Sequence, residues 1–187
     1  YRAEPSDRQF EQTVAIKILP GCATDDQTIA RLKAERQILA ELQHPNITRL
    51  LDGGETGDGF PYLVTEFIDG EPITEYVRQS LPRIKHRLEL FAKVADTVHY
   101  AHKNLVIHRD IKPSNIMVDK SGRPHLLDFG IAKLLEAGAH EMTFAQTATG
   151  FTPMTPEYAS PEQRTGKEVT TASDIYQLGL LLYNLVT

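Results

Sequence analysis

A carboxylate, an ammonium and a carboxamide fall within one short stretch, His108-Arg109-Asp110-Ile111-Lys112-Pro113-Ser114-Asn115, and a second carboxylate follows in Asp128-Phe129-Gly130. Apolar runs enclose the first stretch: Leu105-Val106-Ile107 reads as a strand before it and Ile116-Met117-Val118 as a strand after it. A loop gripped by two buried strands is stiff, and a general base or a metal ligand needs that stiffness to stay within bonding reach of its target. Asp110 can accept a proton, Lys112 can neutralise a developing anion, and Asn115 can offer a carbonyl oxygen to a hard cation. His125-Leu126-Leu127 forms a further apolar strand, with Asp119-Lys120-Ser121-Gly122 as the turn before it. The resulting hairpin returns Asp128 to the side of Asn115.

Upstream, Thr13 to Leu19 alternates with period two, so Lys17 stands between Ala15 and Leu19 on an apolar face and needs an anion. Thr28 to Gln43 reads as a helix that carries Leu32, Glu35, Ile38, Leu39 and Leu42 on one face. A carboxylate in an apolar stripe is costly unless paired, and Lys17 is the partner expected for Glu35. His44-Pro45 ends that helix, since proline cannot continue it. Strands follow at about 47–51 and 62–67, with Gly53-Gly54 and Gly57-Asp58-Gly59 read as turns. A short helix opens after Pro72, and a longer one from about His86 to Lys103 carries Leu88, Phe91, Val94, Ala95, Val98 and His102 as its buried stripe. His99 and His102 have no Cys, His or carboxylate cluster beside them, which argues against a metal pair. Periodicity is lost from Gly130 to Pro161, a stretch holding Thr143, Thr147, Thr149, Thr152 and Thr155; long irregular segments inside a compact domain are usually functional or mobile.

Composition narrows the partners. Of 187 residues, 41% are hydrophobic and 24% charged, which is enough apolar material for a sizeable core. A net charge of −5 with no basic run disfavours nucleic acid. Cys22 is the sole cysteine, so no intrachain disulfide forms and a reducing, cytoplasmic compartment fits best. No stretch reaches the length of a membrane span, and the segment is expected to make no membrane contact.

The Asp110 loop and the Asp128 triplet, at this spacing, resemble the catalytic loop and metal-binding triplet of the protein kinase family, whose signature is itself a standard worked example. The resemblance implies a two-lobed α+β fold: residues 1–66 as a sheet-rich lobe with one helix, 67–70 as a hinge, and 71–187 as a helical lobe. It implies ATP and Mg2+, with Asp110 and Lys112 catalytic, Asn115 and Asp128 on the metal, and Lys17 paired with Glu35 on the phosphates. Ala15, Thr65, Glu66, Ile68 and Met117 would line the nucleotide site, Glu66 and Ile68 through backbone groups. The 130–161 stretch resembles an activation loop, with Arg109, Thr147 and Thr149 in regulation and Thr155 against Asp110 and Lys112. Asp174 would anchor the catalytic loop's backbone from the start of the last helix.

Lys112, two positions after Asp110, resembles serine/threonine kinases and not tyrosine kinases, and Thr-Pro-Glu-Tyr-Ala-Ser-Pro-Glu-Gln resembles the bacterial branch. Ser160 stands where the family usually has alanine, and Met154-Thr155 where it usually has Gly-Thr. No G-x-G-x-x-G precedes Lys17, and the family's late helices have no counterpart, so the chain reads as truncated at both ends. Protein substrates, and a dimer in which one copy phosphorylates the other, follow from the resemblance. A small-molecule kinase would share the Asp, Asn and Asp arrangement but not Arg109 or the threonine-rich loop. A binding-only relative should have lost Lys17, Asp110, Asn115 or Asp128, and all four are present.

Overall fold

The computed structural model describes residues 1–4, 13–19, 37, 39, 41–81, 83–129 and 157–187. Expectations for Glu35, Gly130, Thr143, Thr147, Thr149, Thr152 and Thr155, and for most of the 28–43 helix, lie outside the described residues. Within that helix, Gln37, Leu39 and Glu41 are helical, and Gln37 Nε2 donates to Glu41 Oε1 at 3.0 Å.

Period-two alternation yields the first sheet. Strands β1 (Arg2–Ala3), β2 (Val14–Ile18), β3 (Leu50–Glu55) and β4 (Pro61–Glu66) pair antiparallel in the order β1-β2-β4-β3. The β2 to β4 register sets Ala15 opposite Thr65 and Lys17 opposite Leu63. Two sequence expectations fail here. Gly53 and Gly54 lie inside β3 and not in a turn, because a Cβ at Gly54 would sit 2.8 Å from the Tyr62 hydroxyl. The glycine is what lets Tyr62 lie across the strand. The turn falls at 56–60 instead, where Thr56 N–H donates to the Phe60 carbonyl and Gly59 takes a φ of +80°. Ile47, expected in β3, forms an isolated parallel bridge with Leu126, because Leu126 N–H donates to Asn46 and Thr48 N–H to Leu126.

The chain divides into two compact units, the first built on this sheet with residues 49–67, the second containing 42–48, 68–129 and the segment from 157 on. In the second unit, β5 (Gly70–Pro72), β6 (Ile116–Asp119) and β7 (Pro124–Leu126) form an antiparallel sheet in that order. Helices α1 (Ile73–Ser80), α2 (Ile84–Lys103), the short α3 (Pro161–Arg164) and α4 (Thr171–Val186) complete it. Its core joins Ile73, Val94, Val98, Ile111, Ile116 and Leu181, each at most 1% exposed. Each such side chain contributes roughly 1.5–3 kcal/mol of burial. On α2 the buried face is Leu90, Val94, Thr97, Val98 and Ala101, while Leu88 is 44% exposed. The expected stripe is thus rotated by about 80° at 100° per residue, toward α4, whose Leu178, Leu181 and Leu185 it meets. Arg87 closes that contact: its Nε donates to the Leu81 carbonyl at 2.8 Å and its Nη1 to that of Leu185 at 3.0 Å, meeting helix-end acceptors that lack a partner within their own helices.

Gly70 pairs with Asp119 in β6, and a Cβ there would stand 2.1 Å from the Val118 carbonyl oxygen. Backbone cannot yield as a side chain can. Gly70→Ala should therefore cost about 1–3 kcal/mol, a fall of roughly 2–12 °C in Tm. Thermal unfolding checks this, and an unchanged Tm would mean that β5 pairs loosely with β6.

Candidate active site

The loop from Val106 to Asn115 is not entered by a strand. Leu105 has a φ of +62°, is 94% exposed, and with Val106 donates back to His102 and Ala101 at the C-terminus of α2. Those donors are spent on capping the helix, so the expected Leu105–Ile107 strand has no ladder to join. The stiffness comes from elsewhere. Asp174, fully buried on the first turn of α4, accepts the His108 N–H at Oδ2 and the Arg109 N–H at Oδ1, each at 2.8 Å. His102 Nε2 meets Oδ2 at 2.8 Å as well. Hydrogen bonds of this kind offset the desolvation of a buried carboxylate and leave its position fixed. The anchoring role expected of Asp174 is thus seen in the geometry.

Pro113 at the first position of a 3₁₀ turn (Pro113–Asn115) then folds the chain back over Asp110. Asn115 N–H donates to the Lys112 carbonyl at 3.0 Å. Asn115 Nδ2 donates to the Asp110 carbonyl at 2.8 Å and to Asp110 Oδ2 at 2.9 Å, and Lys112 Nζ lies 3.1 Å from that same Oδ2. Lys112 and Asp110 side chains are 15% and 19% exposed, so the ion pair is largely withdrawn from water yet reachable. The expected hairpin brings the second carboxylate to the loop. Leu127 N–H donates to the Asn115 carbonyl at 2.9 Å, and Asp128 is the next residue, in a left-handed conformation with φ of +48°. With Nδ2 committed to Asp110, Asn115 offers oxygen Oδ1, and Asp128 offers a carboxylate. An all-oxygen donor pair suits Mg2+, which keeps several waters and takes only one or two protein ligands. Among the described residues no three His, Cys, Asp or Glu side chains converge to hold a metal ion.

His108 is packed beneath this cluster, 1% exposed, its ring 4.7 Å from that of Phe129. Nε2 lies 3.0 Å from the Leu127 carbonyl and Nδ1 accepts from Asp110 N–H at 3.3 Å, which fits the neutral tautomer protonated at Nε2. Burial pushes its pKa below 6.5, against the opposing pull of Asp174, Asp110, the Leu127 carbonyl and Asp128. At Asp119 burial alone would raise the pKa. The Ser121 hydroxyl, the His125 imidazole and the Arg123 and Ser121 N–H groups together hold it well below the ordinary 3.8. Both depressed values act in one direction. Stability is present in full above pH 6.5 and is lost first as His108 is forced to charge below that value, then below 3.8 as Asp119 is protonated. Tm should therefore fall from pH 7 to pH 5, with a shallower slope in His108→Phe; equal slopes by calorimetry would place the acid lability at other groups.

In the first unit, Lys17 is exposed on β2, with Ala15 half-buried and Leu19 buried two positions to either side of it. Ala15 and Thr65 are cross-strand neighbours and half-buried. Glu66 N–H donates to the Arg49 carbonyl at 3.1 Å and Glu66 Oε1 accepts from Arg49 N–H at 2.9 Å, so the N–H of Glu66 is committed within the sheet. In the second unit, Ile68 is half-buried ahead of β5, and Met117 is half-buried on β6 opposite Pro72 and His125.

Three residues near the loop escaped the sequence reading as site residues: His102, Gln163 and Gln177. Gln163 Nε2 and Gln177 Nε2 both donate to the Arg109 carbonyl, at 2.7 and 3.2 Å. A signal was present. Asp174 and Gln177 fall at helical spacing with Leu178, Leu181 and Leu185, and a polar residue in an apolar stripe asks for a buried partner. Ser160 also finds its reason: it is the N-cap of α3, in a capping box with Gln163.

Residues 4–187 match the family model of the protein kinase domain. The chain is 39% identical over 179 residues to the probable serine/threonine-protein kinase PknB of Lactococcus lactis, covering 95% of this chain and 27% of that protein. It is 38% identical over 189 residues to the serine/threonine-protein kinase PrkC of Bacillus subtilis, covering 100% of this chain and 28% of that one. The chain thus spans just over a quarter of the length of the curated relatives it matches. Among solved structures, the kinase domain of PknI from Mycobacterium tuberculosis superposes with a TM-score of 0.71 at 28% identity, covering 100% of this chain and 67% of that one.

Proposed function

The chain belongs to the protein kinase family, and from that premise we propose that it moves the γ-phosphoryl group of ATP to serine and threonine hydroxyls of proteins. The observation that carries the reading is the hydrogen-bonded set of Asp110, Lys112 and Asn115 on a loop anchored by Asp174, with Asp128 joined to it by the Leu127 to Asn115 bond. Asp110 accepts the proton of the substrate hydroxyl, and its approach is fixed by Asn115 Nδ2. Lys112 balances charge that builds on the transferring group. Asn115 and Asp128 would hold Mg2+, which when bound neutralises the phosphate oxygens. Lys17 with Glu35 would orient the α- and β-phosphates, and Ala15, Thr65, the Glu66 carbonyl, Ile68 and Met117 would surround the adenine. We assign residues 1–66 to the sheet-rich lobe, 67–70 to the hinge and 71–187 to the helical lobe.

Regulation through the 130–161 segment belongs to the same reading. A phosphothreonine carries close to two negative charges and three strong acceptors, and Arg109, whose backbone is held at Asp174, places a guanidinium next to Asp110 in sequence. Thr147 and Thr149 are the sites assigned, with Thr155 against Asp110 and Lys112, and a dimer would let one copy modify the other. A cytoplasmic site of action fits ATP use; among the described residues no helix is long and apolar enough to cross a membrane.

The test is incubation of the full-length protein with ATP and Mg2+, followed by mass spectrometry. Phosphate should appear on an added acceptor protein and on Thr147 or Thr149, and on neither in the Asp128→Asn variant. No transfer to any hydroxyl would end the kinase reading, and an unmodified segment in fully active protein would end the switch alone.

A further inference from the structure

A carboxamide lies in the interior of the second unit where the reaction as argued has no use for it: Gln177 of α4 is 1% exposed. Burying a primary amide is unfavourable unless its donors and acceptor are met. They are met around Asp110. Gln177 Oε1 accepts the Ile111 N–H at 2.7 Å, while Nε2 donates to the Arg109 carbonyl at 3.2 Å and to Gln163 Oε1 at 2.9 Å. The Arg109 carbonyl and the Ile111 N–H belong to the residues on either side of Asp110. One side-chain amide therefore brackets Asp110 as a residue of a parallel neighbouring strand would, bonding to the carbonyl before it and the N–H after it. The amide cannot be turned over, because its NH2 would then face the Ile111 N–H.

Gln163 extends the bracket. Its Nε2 donates to the same Arg109 carbonyl at 2.7 Å, and its Oε1 accepts from Ser160 N–H at 3.0 Å. Arg109 itself has a φ of +67°, a conformation that a non-glycine residue keeps only where its surroundings hold it. Resting on the kinase reading above, we propose that Gln177 is a positioning residue for phosphoryl transfer, holding Asp110 in register with the Ser160–Gln163 segment through the shared Arg109 carbonyl. It touches neither ATP nor the acceptor hydroxyl. Its effect is on where Asp110 stands when the proton is taken, and misplacing a reacting group by about 1 Å costs about 10²-fold in rate.

Two variants of the full-length protein separate this role from simple support of the fold. Gln177→Met keeps the length and removes all three hydrogen bonds; Gln177→Glu keeps the acceptor for Ile111 N–H but sets a carboxylate oxygen against the Arg109 carbonyl and Gln163 Oε1. With myelin basic protein as acceptor, both should lose about 10- to 100-fold in kcat while KM for ATP changes less than about three-fold. Hydrogen exchange at the Ile111 amide should quicken in Gln177→Met and stay slow in Gln177→Glu. A role confined to stability would lower Tm and leave kcat per folded molecule unchanged. Should the Met variant not fold, the Glu variant alone decides: kcat within two-fold of wild type overturns the proposal. Ile111 exchange as slow in Gln177→Met as in wild type overturns the bracket, and it does so even if the wild-type protein transfers no phosphate, an outcome that counts against the kinase reading.

Discussion

Asp110→Asn should lower kcat by about 10²–10⁴, and Asp128→Asn should remove Mg2+-dependent transfer altogether. The asparagine at 110 can still accept the hydrogen bond from Asn115 Nδ2, whose present partner is Asp110 Oδ2 at 2.9 Å, so the loop is expected to keep its shape. What it loses is the ability to take a proton, and the ion pair with Lys112 at 3.1 Å. The loss corresponds to about 3–5 kcal/mol of transition-state stabilisation. At position 128 the lost charge belongs to one of only two oxygen ligands assigned to the metal, so weaker Mg2+ binding and absent turnover should come together. Steady-state kinetics across a Mg2+ titration separates the two effects: Asp128→Asn should not recover at high Mg2+, whereas Asp110→Asn should saturate at the wild-type concentration with a low ceiling. Full turnover in Asp110→Asn would show that another group takes the proton.

Asp174→Ala is expected to be the most damaging single change to the described fold. It orphans two buried N–H groups, at His108 and Arg109, and removes the partner of His102. Each unsatisfied buried donor costs about 1–3 kcal/mol, so the two N–H groups together cost about 2–6 kcal/mol. Set against a typical domain stability of about 5–15 kcal/mol, that is a large fraction, and Tm should fall by roughly 4–24 °C. Asp174→Asn should fall between, since one amide oxygen can serve only one side of the site and its NH2 then faces a second donor. Calorimetry on both variants gives the order. A Tm for Asp174→Ala within about 2 °C of wild type would mean that the loop is held from elsewhere.

How much of this was legible beforehand depends on how far apart in sequence the interacting groups lie. The β6 and β7 hairpin, with its turn at Asp119 to Gly122, could be read directly, because a short apolar pair around a glycine-ended turn has few ways to close: Gly122 takes a φ of +78° and Asp119 Oδ1 accepts from Ser121 and Arg123 N–H. The Asp110, Lys112 and Asn115 cluster was legible for the same reason, since it closes within six residues around Pro113. The strand expected at Leu105–Ile107 was not there. Apolar composition is shared by strands and by helix-capping segments, and which one forms depends on whether another strand lies alongside.

The sequence by itself therefore determined the chemistry on the loop, the hairpin that brings Asp128 to it and the faces of the helices to within part of a turn. Apart from Asp174, expected at the start of the last helix, only the tertiary structure decided what holds the loop rigid. Gln163, Asp174 and Gln177 reach the residues around Asp110 from other helices, each bonding to backbone N–H or C=O groups, and His102 bonds to Asp174. Every residue carries those groups, so a side chain that grips them has no complementary partner residue to find, even where its place in an apolar stripe marks it as buried. Its position becomes readable only when the helix that bears it has been packed against the loop.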